Sequence, residues 1–108
     1  MKIVIKTKPI STNKLYTGRR FLTKLGRETK EAMAWEVKSQ FKGKITRKNI
    51  GIFIRFYVPN KLSDLDNLLK GFLDSMSGII WEDDKQIDVI HCIKIVEKNN
   101  PRIELKIL

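Results

Sequence analysis

The hydrophobic pattern is clearest between residues 65 and 76, where apolar side chains recur at i, i+3, i+4, i+7, i+8 and i+11. This spacing aligns them along one side of a helix. The side chains of this stripe are Leu65, Leu68, Leu69, Phe72, Leu73 and Met76. The pattern predicts an amphipathic helix that begins just after Ser63 and Asp64 and ends near Gly78.

Four further segments are rich in apolar and β-branched residues and predict strands. Their ranges are 2–8, 49–58, 86–97 and 102–108. A first helix is expected from Thr23 or Thr29 to about Phe41. The predicted order is β-α-β-α-β-β, which is an α+β fold with a mixed or antiparallel sheet and two helices. A chain of 108 residues with 42% hydrophobic content is expected to form one domain over residues 1–108.

Two large side chains are expected inside this fold. Trp35 lies beside Met33 and Val37 on the predicted first helix, where it is expected to pack in the core. His91 falls within an apolar strand pattern and is expected in the core or at an interface. One His and one Cys are too few for a zinc site.

The single Cys92 cannot form an internal disulfide, which is typical of a reducing compartment. The sequence shows no apolar signal region at its start and no run of 18 apolar residues. We therefore expect neither export nor membrane insertion, and predict a cytoplasmic location.

Candidate chemistry lies at the start of the helix predicted over 65–76. Asp64 and Asp66 flank its first turn, and Lys70 follows Asp66 by one turn. A strand that leads through a short loop into a helix places these acids at the carboxyl end of the strand. Active sites of α/β folds commonly lie there.

A purely structural interpretation of the acids is also open. Ser63 followed three residues later by Asp66 approximates a capping box, and acids near a helix start complement its dipole. Asp66 and Lys70 have the spacing of a surface ion pair. Adjacent acids such as Asp83 and Asp84, between a helix and a strand, often mark a solvated turn.

The charge distribution favours the functional interpretation. The chain has 22 Lys and Arg against 12 Asp and Glu, a net charge of +10, so a polyanionic partner is expected. Residues 1–50 contain 14 basic and 3 acidic residues, whereas residues 51–108 contain 8 basic and 9 acidic ones. Acids that face phosphates repel them unless a divalent cation lies between. The pattern predicts bound Mg²⁺ or Mn²⁺, which prefer oxygen ligands.

The segment 11–20 is predicted to be a loop that contacts nucleic acid. It concentrates Lys14, Tyr16, Arg19 and Arg20 among small polar residues. The cations can neutralise phosphates, and the tyrosine ring can stack on an unpaired base or cover the core. A solvated loop without a partner is the alternative.

Two motifs carry a resemblance to a known family. One reads Asp64-Leu65-Asp66-Asn67-Leu68-x-Lys70, then Asp74, then Trp81-x-Asp83-Asp84-x-Gln86-Ile87, and the other reads Pro9-x-Ser11-x-Asn13-x-x-Tyr16. In this order, and over essentially the whole chain, they resemble the RusA family of Holliday-junction resolvases of bacteria and their prophages. Ile10 stands where the family has a second proline, a departure that concerns loop shape.

The resemblance implies a Mg²⁺- or Mn²⁺-dependent endodeoxyribonuclease that resolves four-way DNA junctions in recombination and repair. It implies a homodimer that makes paired symmetric nicks, with no small-molecule substrate. Asp64, Asp66 and Asp84 would hold the metal, and Lys70 would contact the phosphate or orient a ligand. The residues expected to contact DNA are Asn13, Lys14, Tyr16, Arg19, Arg20 and Lys94.

Asp74 and Asp83 are further candidates for supporting the metal ligands. Two other function classes remain open at this point. One is a non-catalytic basic DNA-binding module, in which the acids only cap and pair. The other is a metal-dependent nuclease for other branched DNA.

Overall fold

The computed structural model describes residues 2–10, 12–17 and 21–108, and its central strand is Ile50–Val58. The elements are β1 (Lys2–Ile5), α1 (Thr12–Leu15), β2 (Tyr16–Thr17), β3 (Phe21–Leu22), α2 (Lys24–Gln40), β4 (Ile50–Val58), α3 (Leu65–Met76), β5 (Ile87–Val96) and β6 (Arg102–Ile107). A single 3₁₀ turn, Asp84–Gln86, precedes β5. The predicted α+β order is confirmed. Helix α1 and strand β2 lie in the segment 11–20, which is predicted to be a loop, and β3, just after that segment, pairs antiparallel with β2.

The four long strands form one mixed sheet in the order β1-β6-β4-β5. Strand β6 runs antiparallel to both β1 and β4. Strands β4 and β5 are parallel, with Ile50 opposite Ile87 and Val58 opposite Val96. A parallel pair needs a crossover connection, and α3 provides it. Among the described residues, no helix is long and apolar enough to span a membrane.

The core lies between one face of this sheet and helices α2 and α3. Alternate residues of β4 point into it and are buried, since successive strand side chains face opposite sides. Phe56 on β4 packs edge-on against Phe72 on α3, with ring centroids 6.0 Å apart. Both rings are at most 2% exposed, so truncating either to alanine is expected to cost about 3–5 kcal/mol.

Helix α2 begins where the hydroxyl of Thr23 accepts a hydrogen bond from the Gly26 amide at 2.8 Å. It ends at Gln40, three residues before Gly43. The prediction that Trp35 packs in the core is wrong, because its side chain is 75% exposed. At 100° per residue, Trp35 lies on the side of α2 opposite to buried Met33.

Strand β1 ends at Ile5, earlier than predicted, because α2 binds the backbone around and beyond it. Gln40 exchanges two hydrogen bonds with the backbone of Val4. The carboxylate of Glu36 accepts from the amides of Lys6 and Thr7. Side chains of α2 therefore occupy the free edge of β1.

The second face of the sheet carries charged and aromatic residues. Glu104 on β6 forms ion pairs with Lys2, Arg55 and Arg102 at 3.6, 3.5 and 3.1 Å. The guanidinium of Arg102 also lies 3.7 Å from the centre of the Tyr57 ring. These contacts join three strands across a face that solvent reaches.

His91 lies on this second face and is exposed, so the prediction of a core position for it is wrong. Its ring stacks on Phe53 of the neighbouring strand, with centroids 6.2 Å apart. The error arises because β5 is an edge strand whose apolar residues are only partly covered on either face. An interface position for His91 stays a prediction.

Candidate active site

The turn between β4 and α3 carries the first two acids. Asp64 is the N-cap residue of α3, with φ −73° and ψ 142°, and its side chain makes no capping hydrogen bond. Asp66 accepts a hydrogen bond from the Asn67 amide at 3.0 Å. The capping box of Ser63 with Asp66 is therefore not formed. The exposed carboxylate of Asp64 is left available to a ligand.

Lys70 lies one turn further along α3 and is exposed. The structure describes both Lys70 and Asp66, and no ion pair joins them within the described part of the chain. The surface-pair interpretation of this spacing is thus not supported. The ammonium group is free to contact a phosphate near the start of the helix.

Lys94 secures the turn that holds Asp64. It lies on β5 opposite Phe56, on the face that the helices cover, and its ammonium donates a hydrogen bond of 2.8 Å to the carbonyl of Ser63. Sequence reasoning assigned Lys94 to DNA contact. Its observed partner is the backbone immediately before Asp64, which gives it a positioning role.

Asp84 is oriented by Trp81, which is fully buried. The indole nitrogen of Trp81 donates a hydrogen bond of 2.9 Å to Oδ1 of Asp84. Asp83 caps the 3₁₀ turn by accepting from the Lys85 amide at 2.9 Å. Gln86 completes this capping box through the Asp83 amide, so Asp83 has a structural role here.

Sequence reasoning missed the structural roles of Trp81 and Gln86. The side-chain amide of Gln86 donates to the carbonyls of Thr46 and Lys48, both at 2.9 Å. These bonds join the Asp84 turn to the segment before β4. The spacing of Asp83 and Gln86, which is that of a capping box, is the signal that could have revealed this role.

A single chain does not bring Asp84 to Asp64 and Asp66. Because β4 and β5 are parallel, Asp84 lies beside the start of β4 while Asp64 lies beyond its end. Eight residue steps along β4 correspond to about 26 Å. Within the described ranges, no three His, Cys, Asp or Glu side chains lie close enough to hold a metal ion.

The donor chemistry of the paired acids fits a hard divalent cation. Asp64 and Asp66 offer exposed carboxylate oxygens two residues apart, and the Asp64 side chain makes no cap bond. They are two ligands of the predicted three. The third, Asp84, is not at this end of the same chain.

The segment 12–17, which contains Lys14, is hydrogen-bonded to Thr23 at the start of α2 and, through Tyr16, to α3. The hydroxyl of Thr23 donates to the carbonyl of Lys14 at 2.7 Å, and the Thr23 amide donates to that of Leu15 at 2.9 Å. Gly26 lies so close to the Leu15 carbonyl that a Cβ atom there would collide with it. Lys14 itself is exposed at the surface.

Tyr16 connects this segment to α3. Its hydroxyl donates a hydrogen bond of 3.4 Å to Asp74. Partial burial, the charge of Asp74 and this hydrogen bond together raise the pKa of Tyr16 above its ordinary value. The contact gives Asp74 a structural partner.

Three of the predicted DNA-contacting positions lie outside what the structure describes. Arg19 and Arg20 fall in the gap between residues 17 and 21, and the side chain of Asn13 is likewise outside the described part. Their contacts with DNA stay predictions.

Comparison with known proteins identifies the family. A sequence model of the family described as Endodeoxyribonuclease RusA matches residues 2–108. A curated relative from Aquifex aeolicus (strain VF5), Crossover junction endodeoxyribonuclease RusA, is 36% identical over 76 residues. The match covers 68% of this chain and 60% of that relative, so the chain spans less than two thirds of the relative's length. The chain belongs to the RusA family of endodeoxyribonucleases.

Proposed function

We propose that the chain is a metal-dependent endodeoxyribonuclease that resolves four-way DNA junctions by paired symmetric nicks. The observation that carries the proposal is the carboxylate of Asp64, which lies beside Asp66 and makes no capping hydrogen bond to α3, on a chain of net charge +10. Acids exposed on so basic a protein suit a site where a cation lies between carboxylate and phosphate. The name of the Aquifex relative, a crossover junction endodeoxyribonuclease, supports the same substrate.

In the proposed mechanism, Asp64 and Asp66 would hold a Mg²⁺ or Mn²⁺ ion, and Asp84 of a second copy would be the third ligand. The chemistry that such an ion supplies when bound is activation of a water molecule and stabilisation of charge on the scissile phosphate. Lys70 contacts that phosphate, and Lys94 fixes the turn through Ser63. Trp81 fixes the orientation of Asp84.

A homodimer is part of the proposal, and the position of Asp84 supports it. A two-fold axis beside β5 would set the β5 strands of two copies antiparallel. The Asp84 end of one copy would then meet the Asp64 end of the other. Two complete sites would form, one at each end of the shared strand pair, which suits the two-fold symmetry of a four-way junction.

The exposed edge of β5 also supports this arrangement. Side chains of α2 cover the edge of β1, whereas no residue of the described ranges hydrogen-bonds to the outer edge of β5. Four apolar residues of β5 are 38–46% exposed, namely Val89, Ile90, Ile93 and Val96. An uncovered apolar edge strand is a favourable site for pairing with a second copy.

The proposal is tested by incubating the protein with a labelled four-way junction and a matched linear duplex, in Mg²⁺, Mn²⁺ or EDTA. We expect paired nicks in the junction alone, and none in EDTA. Sedimentation equilibrium should give the mass of two chains. Tight junction binding without nicking in any metal would instead favour the non-catalytic DNA-binding module.

A nuclease for other branched DNA is separated by the choice of substrate. If flaps and three-way junctions are cut as fast as the four-way junction, the substrate class is branched DNA in general. The proposed metal site is unaffected by that result.

A further inference from the structure

A cleft of ≈ 210 Å³ opens beside Ser63, next to the acids of the proposed active site. It lies between the segment 8–10, the start of α2 and the turn 58–63. A single water molecule occupies about 30 Å³, and pockets for drug-sized ligands begin near 300 Å³. The cleft therefore has room for one flat ring system.

Two exposed leucines line the cleft from different elements. Leu25, in the first turn of α2, is 54% exposed, and Leu62, in the turn before α3, is 87% exposed. A single exposed leucine needs no explanation. Two exposed leucines that line one concave site form an apolar surface against which a flat ring can pack.

Thr29 supplies an unused polar group in the same cleft. The residue is only 7% exposed and lines the cleft, yet its hydroxyl makes no hydrogen bond within the described ranges. In those ranges no fully buried side-chain oxygen or nitrogen lacks a partner. The hydroxyl is thus not fully buried, and because Thr29 lines the cleft it can donate to or accept from a ligand there.

The charge around the cleft selects the kind of ligand. Lys8 and Lys14 line it and are exposed, and neither forms an ion pair with a described residue. Asp64, the residue after Ser63, is the proposed ligand of the ion beside the cleaved phosphate. A DNA strand whose cleaved phosphate lies at Asp64 would bring its neighbouring nucleotides close to these two lysines.

We propose that this cleft binds one unpaired nucleobase of the strand that is cleaved, a proposal that rests on the proposed function. The base lies between Leu25 and Leu62, and its edge hydrogen-bonds to the Thr29 hydroxyl. Lys8 and Lys14 contact the flanking phosphates. Branched DNA offers such a base at the branch point, where unstacking costs least.

The test is a scan with junctions that each contain one abasic nucleotide near the branch point. Dissociation constants are measured by fluorescence anisotropy in EDTA, so that binding is separated from cleavage. With the unaltered protein, we expect one position at which loss of the base weakens binding about tenfold. With Leu62→Ala or Thr29→Val, the same loss should cost clearly less, about threefold for Thr29→Val, since part of the base contact is already gone.

Thr29→Val also separates binding from stability. Valine keeps the shape of threonine but removes a hydroxyl that has no partner in the described residues, so the melting temperature should stay the same or rise. Binding of the intact junction should nevertheless weaken about threefold. Trp35→Ala is the control, because Trp35 is 75% exposed on the outer side of α2 and does not line the cleft, so it should alter neither junction binding nor the abasic cost.

Each outcome decides the proposal. One outcome is that junctions are bound and nicked, but at no abasic position does the loss of binding depend on Leu62 or Thr29. This outcome would contradict base binding in the cleft and leave the proposed nuclease activity unaffected. A second outcome is an abasic position whose loss of binding depends on Leu62 or Thr29, without metal-dependent nicking. This outcome would support base binding in the cleft and contradict the proposed nuclease activity. Failure to bind any DNA would remove both.

Discussion

The ammonium of Lys94 and the carbonyl of Ser63 are joined by a hydrogen bond of 2.8 Å between β5 and the turn that carries Asp64. A bond from a charged donor is stronger than a neutral one and restricts the turn. The edge strand β5 thereby sets the position of an acid in the turn that precedes α3.

Replacing Lys94 tests this positioning role. Lys94→Met keeps the aliphatic stem and removes the donor, so single-turnover nicking of the junction should slow by about tenfold or more. The dissociation constant measured in EDTA should change less than about threefold, and Lys94→Arg should recover part of the rate. A parallel loss of binding with a shallower salt dependence would instead make Lys94 a phosphate contact.

Asp64→Asn separates the functional acid from a structural cap. Because the Asp64 side chain makes no cap bond, the melting temperature should be nearly unchanged. Nicking should fall by about a hundredfold or more, whereas junction binding should stay or tighten, since a charge that repels phosphate is removed. Glu31→Gln, at an exposed residue of α2, is the matched control and should alter neither nicking nor junction binding. Loss of stability together with binding would return Asp64 to a capping role.

Trp81→Phe tests the orientation of Asp84. The change removes the indole donor and some packing, and should destabilise the fold by about 1–2 kcal/mol in urea unfolding. Nicking should fall further than stability explains. Ile80→Val, at a residue 1% exposed, is a control of similar small packing loss that leaves Asp84 untouched. Equal activity losses in the two variants would reduce the role of Trp81 to packing.

Gly26→Ala tests the attachment of the basic segment. Alanine in a helix is normally favoured over glycine by about 1 kcal/mol. Here its Cβ would collide with the Leu15 carbonyl, so we expect a net destabilisation of about 1–3 kcal/mol. Junction binding should weaken as the Lys14 segment shifts. A rise in the free energy of unfolding would show that the segment is not held against α2.

Acid should weaken the fold through Glu104. Partial burial acts to raise the pKa of its carboxyl, but hydrogen bonding to Arg102 and the charge of Lys2 outweigh it and hold the pKa below its ordinary value. The stabilisation is therefore present above the unfolded pKa of about 4.3 and is lost as pH falls through the folded pKa.

The measurement is the free energy of unfolding between pH 6 and pH 3. Glu104→Gln should be less stable at pH 6 and should lose less stability on acidification than the unaltered chain. Identical pH slopes would show that the ion pairs around Glu104 contribute no net stability.

Much of the fold follows from local pattern. The stripe of α3 and the alternation of β4 predict their elements because each buries one continuous side, and the same pattern places Asp64 and Asp66 at the start of α3. Their role as metal ligands stays a prediction. Trp35 was misplaced because apolar character alone does not fix a helix face; its angle from Met33 does. Helix α1 and the β2–β3 hairpin are too short for any period to show.

The position of Asp84 could not be derived from sequence pattern. Alternation along β5 is the same whether the strand runs parallel or antiparallel to β4, yet the direction decides which end of the sheet Asp84 occupies. That choice depends on how α3 crosses the sheet, a tertiary property. The motif thus predicts which acids share a site, a prediction that stays open, and does not show that one chain keeps them apart.

The strand order also has a consequence for biosynthesis. Among the described strands, β1 pairs only with β6, and β4 pairs only with β5 and β6, so both earlier strands lack partners until the later ones leave the ribosome. Closing the 28-residue connection between β4 and β5 alone costs about 3 kcal/mol of chain entropy. The full sheet therefore assembles after its last strand has been synthesised, and a nascent chain that stalls before Arg102 holds β1 without a partner and β4 with β5 as its single partner.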